Sequence, residues 1–380
     1  MEKIGIITFH NSYNCGSMLE SYAIQYYLRK SGYDCEIIDY ASEGQEKLYS
    51  VFEKNSNLKN ILKNLILLLH YNHIKNNNKK YEEFKNKFMK LSQNYKKREE
   101  LKKAEYDCIV AGSDQIWNTT IEDFDFAYFI DFNDVCKKIA YAPSFGAKNP
   151  KKYASDEEYN KIKKLLKKFD FVSIRENNGK LWLKEEFGID AKVLVDPTLL
   201  LNVNDYRNLE ANYNKYEKEK YIFFYCPSFN AEICKLVKKI SKKYKIKVLT
   251  WSSKSYYKKF IRRFGFELAD YEDPSLYLKL IKDAQLVITT SFHGTIFSTI
   301  YEKRFFTIKN GEMYGDDDRV RTLIDNVDLR ERLINTIFDE NFDYMRDIDY
   351  RNSKNKINLL KKNSELFFKE ALGDVNESGK

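Results

Sequence analysis

The chain has 380 residues, 43% hydrophobic and 15% aromatic, which suits two cores of ordinary size rather than one. Lys and Arg number 65 against 56 Asp and Glu, a net charge of +9. The excess is diffuse and mixed with Asn and Glu, which argues against a nucleic-acid binder and for a solvated surface, while leaving room for anionic substrates or peripheral contact with a membrane. No run reaches the roughly 18–20 apolar residues of a membrane helix, and the N-terminus reads as a strand rather than a signal peptide. None of the six cysteines has a metal-ligand spacing. The expectation is a cytoplasmic protein with reduced thiols and no structural metal.

Ile4–Phe9 reads as a first strand and His10–Gly16 as a polar turn. Ser17–Lys30 has helical spacing through Met18, Tyr22, Ile24 and Leu28. Ser31-Gly32 stops it, and Cys35–Tyr40 is the next strand, so the chain opens with a βαβ unit and a parallel sheet. Residues 43–105 differ. They are rich in Lys and Asn, with helical spacing at Leu58, Ile61, Leu62 and Leu65, and again at Tyr81, Phe84, Phe88 and Leu91. They predict a helical insertion with a flexible break at Asn76–Lys80. Strands follow at Tyr106–Ala111, Lys138–Ala142, Phe171–Ile174 and Val193–Val195. After a polar linker near 202–220 the alternation restarts, with strands Tyr221–Cys226, Lys247–Trp251, Leu286–Thr290 and Phe305–Ile308. Helices Ala231–Tyr244, Ser275–Asp283 and Thr295–Glu302 lie among them. From about Asp318 the chain reads as mostly helical, fraying after Gly373. The expected division is 1–201, 202–330, and a helical tail 331–380.

Open α/β sheets bind ligands beyond the carboxyl ends of their strands, where helix N-termini favour anions. Four strand ends carry small, polar or titratable residues there. They are Asn14-Cys15-Gly16-Ser17, Gly112-Ser113-Asp114-Gln115, Ser173-Ile174-Arg175-Glu176 and Ser291-Phe292-His293-Gly294. Each has a plainer reading: Gly16 as a tight turn, Ser113 or Asp114 as a helix cap, Arg175 as an ion-pair partner. Of the four histidines, His70 and His73 read as surface groups of the insertion, and His10 ends the first strand. His293, between an apolar strand and a glycine-permitted turn opening a helix, is the candidate acid or base.

Together the segments Tyr13–Leu19, Gly112–Asn118, Ser173–Glu176, Val195-Asp196-Pro197-Thr198 and Ser291–Thr295 resemble the polysaccharide pyruvyl transferase family, in order from about residue 3 to about 330. The resemblance implies an α/β fold of two Rossmann-like domains facing a cleft, as in glycosyltransferase-B enzymes. It implies transfer of pyruvate from phosphoenolpyruvate to a hydroxyl of a sugar or lipid-linked saccharide during exopolysaccharide or cell-envelope synthesis, without a cofactor. His293 then matches the acid/base and Arg175 an anion-binding arginine. Substrate contacts fall to Asn14, Gly16, Ser17, Gly112, Ser113, Asp114, Gln115, Ser291 and Gly294. Arg319 and Arg321, after the acidic run Asp316–Asp318, are added as cleft-lining candidates; the run itself reads as solvated rather than metal-binding. One departure stands out: the family often carries an arginine two positions before the histidine, where this chain has Ser291. Two other readings therefore stay open, a nucleotide-sugar glycosyltransferase using the same cleft, and a non-catalytic binding protein that engages partners through residues 43–105.

Overall fold

The computed structural model describes residues 2–54, 56–309 and 318–373. Six strands, β1 (Ile4–Ile7), β2 (Cys35–Ile37), β3 (Cys108–Ala111), β4 (Lys137–Ala140), β5 (Phe171–Ile174) and β6 (Lys192–Val193), form a parallel sheet in the order β2-β1-β3-β4-β5-β6. Six more form a second parallel sheet in the order β12-β11-β10-β7-β8-β9. These are β7 (Tyr221–Tyr225), β8 (Lys247–Thr250), β9 (Glu267–Leu268), β10 (Leu286–Thr289), β11 (Phe305–Ile308) and β12 (Leu333–Ile334). The strands at the middle of each sheet are largely apolar and buried, as Ile4–Ile7 and Cys108–Ala111 illustrate, because helices cover both faces of each sheet.

Each sheet reverses direction once. The chain moves outward from β1 to β2, then returns to lay β3 on the other side of β1. In the second sheet it runs β7, β8, β9, then returns to lay β10 against β7. The crevices at these two reversals are where an α/β sheet offers a binding site.

Helix α1 (Cys15–Lys30) starts two residues earlier than its periodicity suggests, because the Asn14 side chain accepts the Gly16 N–H at 2.9 Å and caps it. The helix Phe292–Ile300 likewise begins three residues early, capped by Ser291, so His293 lies in its first turn rather than in a preceding loop. The insertion comprises α2 (Glu43–Tyr49), α3 (Leu58–Leu69), α4 (Tyr71–Phe88) and a 3₁₀ turn at Arg98–Lys103. The expected break at Asn76–Lys80 is absent. Asn77 is buried at a seam with the second half, where it donates to Ser253 Oγ at 3.3 Å and accepts the Glu272 N–H at 3.1 Å. A polar residue that would loosen a solvent-exposed helix is here satisfied by tertiary partners. The same seam takes up His70, whose ring stacks on Tyr257 at 3.5 Å, and His73, which meets that ring edge-on; both are half-buried rather than freely exposed.

The two halves share an interior. Met18 and Leu19 of α1 belong to the same apolar cluster as Tyr206, Tyr277 and Phe297. The last helix, Arg351–Leu372, returns to the first sheet, where Phe368 stacks on Tyr141 at 4.4 Å and Glu370 pairs with Lys192 at 2.7 Å. The expected tail boundary at 331 cuts into the second sheet, since Leu333 and Ile334 pair with Thr307 and Ile308 of β11. No α-helix forms between those residues and Arg351, against the helical expectation for that stretch.

Candidate active site

The two sheet reversals face one another. At the first, β1 leads to the start of α1, and β3 leads to Gly112, Ser113 and Asp114. At the second, β10 leads to Ser291, Phe292 and His293. The approach is tight: a Cβ on Gly16 would stand 2.2 Å from His293 Nδ1. Only glycine lets the first turn of α1 come this close. Gly294 plays the matching part on the other side, where a Cβ would stand 2.4 Å from Thr289 Oγ1.

His293 is 7% exposed. Its Nε2 lies 3.4 Å from Asp196 Oδ2 and makes no hydrogen bond, so the link between them is chiefly Coulombic. Asp196 is held from behind, its Oδ1 accepting from the Thr198 N–H at 3.0 Å and the Thr198 hydroxyl at 2.6 Å. Its Oδ2 also accepts from Arg175 Nη1 at 2.8 Å. Arg175 reaches Asp114 through Nη2 at 3.5 Å and lies over the Phe292 ring, 4.3 Å from its centroid. Its buried Nε has no partner. Ser17 donates to Asp114 at 2.6 Å.

Charge explains the cluster. Burial pushes the Asp196 carboxyl upward, but His293 and then Arg175 and Thr198 overcome it and hold that group well below the ordinary carboxylate range. Asp114 behaves alike: burial opposes ionisation, while Arg175, His293 and Ser17 hold it low. Glu20 goes the other way. Burial, followed by repulsion from Asp196 and Asp114, drives its carboxyl well up, although it accepts from the Ser113 N–H at 2.6 Å and from Thr8 Oγ1 at 2.9 Å. Two carboxylates therefore face one guanidinium and one imidazole, and a proton taken up by His293 meets a compensating charge. The arrangement can move a proton at His293 and can present a guanidinium donor to an anion beside it.

The sequence between residues 14 and 312 matches the family model for polysaccharide pyruvyl transferase. The chain belongs to that family. No curated protein matches it significantly by sequence. Among solved structures it is similar to a glycosyltransferase from Rickettsia africae ESF-5, at 13% identity and a TM-score of 0.51 over 98% of both chains. It is also similar to a putative UDP-N-acetylglucosamine 2-epimerase from Listeria monocytogenes, at 10% identity and a TM-score of 0.51, over 98% of this chain and 90% of that one. A UDP-N-acetylglucosamine 2-epimerase from Rickettsia bellii gives 12% identity and a TM-score of 0.50 over 100% and 99% of the two chains. These likenesses establish the fold: two Rossmann-like units in the glycosyltransferase-B arrangement.

Within this family member, the residues picked out by sequence divide into groups. His293, Arg175, Asp114, Ser17 and Gly16 come together. Asn14 and Ser291 serve as helix caps, Ser291 Oγ accepting the Gly294 N–H at 3.3 Å. Ser113 donates its hydroxyl to Ala142 O at 2.5 Å, and Gln115 accepts from Asn118 at 3.1 Å, so both brace the loop after Gly112. Arg319 is buried near Glu176, and burial pushes that carboxyl up to about 7 despite the pull of Arg175 and Arg319. Arg321 instead lines a separate cleft of about 480 Å³ with Asn177, Asn178 and Trp182. Asp318 accepts the Asn178 N–H at 2.9 Å and is buried, not solvated; Asp316 and Asp317 lie outside the described residues. His10 is a structural group, bonded to Asp39 at 2.9 Å.

Sequence reasoning assigned no role to Asp196 or Glu20. Asp196 stood in a quoted motif, yet a lone Asp-Pro-Thr reads as a turn. Glu20 left a fainter signal, an acid among the small and apolar residues of α1. A cleft of about 1280 Å³ was not foreseen either. Tyr13, Asn14, Tyr49, Trp251 and Glu272 line it, between the insertion and the second sheet. Neither His293 nor Arg175 lines it; Asn14 on its wall is two residues from Gly16, which touches His293.

Proposed function

We propose that the protein transfers a pyruvyl group from phosphoenolpyruvate to hydroxyls of a saccharide precursor, with His293 as the proton-transfer residue. The observation that carries the reading is the junction of His293 with Asp196 and Arg175 at the meeting of the two sheet reversals, in a chain of this family. The chemistry demands such a junction. The enol methylene takes a proton and becomes a methyl group, leaving a cation-like carbon. One sugar hydroxyl adds to that carbon, phosphate departs with the C–O bond electrons, and a second hydroxyl closes the ketal. Of the two hydroxyl protons, one balances the new methyl and the other leaves on phosphate. His293 shuttles the proton, and Asp196 steadies the charged imidazole. Arg175, with an uncommitted Nε donor, serves the donor's carboxylate or phosphate. Ser291 does not carry a charge, so the anion contact rests on Arg175 and on the N–H groups opening α1 and the helix Phe292–Ile300.

The test is phosphate release from phosphoenolpyruvate in the presence of a glycan acceptor. We expect His293→Ala to lower the rate by roughly 10²–10⁴-fold. An unchanged rate would remove His293 from the mechanism. Thermal stabilisation by uridine diphosphate but not by phosphoenolpyruvate would move the donor assignment to a nucleotide sugar.

A further inference from the structure

We infer that the outward face of α3 is a docking surface for an anionic lipid bilayer. On this 12-residue helix, Leu58, Ile61, Leu62, Leu65, Leu68 and Leu69 are all exposed, from 40% at Ile61 to 82% at Leu69. At the α-helical repeat these six positions fall within roughly 120° of the circumference, a single stripe. The stripe is outside, whereas an amphipathic helix of a globular domain turns such a stripe inward. The opposite side is the one in use: Leu67 is buried, and with Asn60 it lines the 1280 Å³ cleft. Leu48 and Phe52, at 41% and 38% exposure, add further exposed apolar surface in the segment leading to α3.

Charge selects the occupant. From Lys54 to Tyr81 the chain has six lysines, Lys54, Lys59, Lys63, Lys75, Lys79 and Lys80, and no acid. The preceding Glu53 is engaged by Lys63 at 2.9 Å and Lys258 at 2.6 Å. Lys59 borders the leucine stripe, whereas Lys63 falls on the opposite side, where it pairs with Glu53. A stripe of large aliphatic side chains with a lysine at its border and more lysines in the flanking segments is the pattern of a helix lying in the headgroup plane, where the lysine stems run along the apolar surface and the ammonium groups meet lipid phosphates. A face made for a second copy of this chain would carry acids to answer the lysines, and α3 carries none. Attachment is peripheral, since no helix among the described residues is long and apolar enough to cross a membrane. Because the inner face of α3 lines the cleft, a docked bilayer lies beside the cleft, where a saccharide on a lipid carrier can enter. That last step rests on the proposed function; the docking does not.

The experiment is co-sedimentation of the full chain with phosphatidylcholine vesicles, with and without phosphatidylglycerol, alongside light scattering without lipid. Binding to the phosphatidylglycerol vesicles is expected, falling as salt rises. Leu62→Glu/Leu65→Glu should lower the partition by about tenfold or more, and Lys59→Glu/Lys75→Glu should remove the preference for phosphatidylglycerol. All of these positions are on the surface, so melting temperatures should stay at the wild-type value, and so should phosphate release with a water-soluble acceptor. That second readout separates failure of docking from failure of the proposed chemistry. The inference is overturned if the wild-type chain does not sediment with anionic vesicles, if the leucine variant binds them as well as wild type, or if the stripe instead holds a dimer that the leucine variant dissociates.

Discussion

Arg175 shows why single residues of this protein cannot be read alone. Its guanidinium joins Asp196, Asp114 and the Phe292 ring, and so ties β5 of the first sheet to the helix after β10 of the second. Glu176, next in sequence, meets the opposite condition. It accepts from Ser144 Oγ at 3.0 Å and the Phe145 N–H at 2.9 Å through one oxygen, while the other is buried without a partner. Burial is the main reason its carboxyl is pushed up to about 7. A folded value above the unfolded one means that the group's contribution is fully present below about pH 4.5, declines as pH rises, and is lost above about 7. Glu176→Gln keeps the accepting oxygen and cannot ionise. Relative to wild type, the variant should gain roughly 2–3 kcal/mol in stability between pH 5 and pH 8. Urea unfolding across that range is the measurement, and parallel wild-type and variant curves would contradict it.

At the scale of elements, the insertion is the part whose surroundings changed its meaning. Its periodicity was legible: Leu58, Ile61, Leu62 and Leu65 do lie on one face of one helix. The direction of that face was not legible, because periodicity says which residues align and not whether a partner covers them. The three consecutive asparagines at 76–78 misled in the other sense. They suggested a break, yet α4 runs through them because Asn77 bridges Ser253 and Glu272. Asn77→Ala strands the buried Glu272 N–H and should cost about 1–3 kcal/mol. Chemical denaturation should show it, and hydrogen exchange should show the insertion opening more readily from the second half. A loss below a few tenths of a kcal/mol would mean that water replaces the asparagine.

For the whole molecule, the site exists because two sheets place their reversals face to face and keep them there. The apolar cluster running from Met18 to Phe297 joins the halves, and the last helix crosses back to clasp the first sheet through Phe368. Phe368→Ala removes a buried ring stacked on Tyr141 and should cost about 3–5 kcal/mol. Because the interior is shared, the loss should lower one cooperative calorimetric transition. Two resolved transitions, with only one displaced, would show that the halves melt independently.

Sequence alone determined the local matters. Parallel strands buried on both faces are apolar runs whatever their neighbours, and strand ends that carry Gly, Ser, Asp and His are recognisable by type. His293, Arg175 and Asp114 could thus be named without coordinates, and the ordered segments pointed to the family. Tertiary structure decided what depends on distance. That Asp196 stands behind both His293 and Arg175, that Glu20 joins the same cluster, and that the α3 leucines face outward follow from contacts between residues tens to hundreds of positions apart. Ser291 is the clearest case: by sequence it is a missing arginine, and in the fold its hydroxyl caps the helix that carries His293, a role set by local backbone geometry rather than by charge.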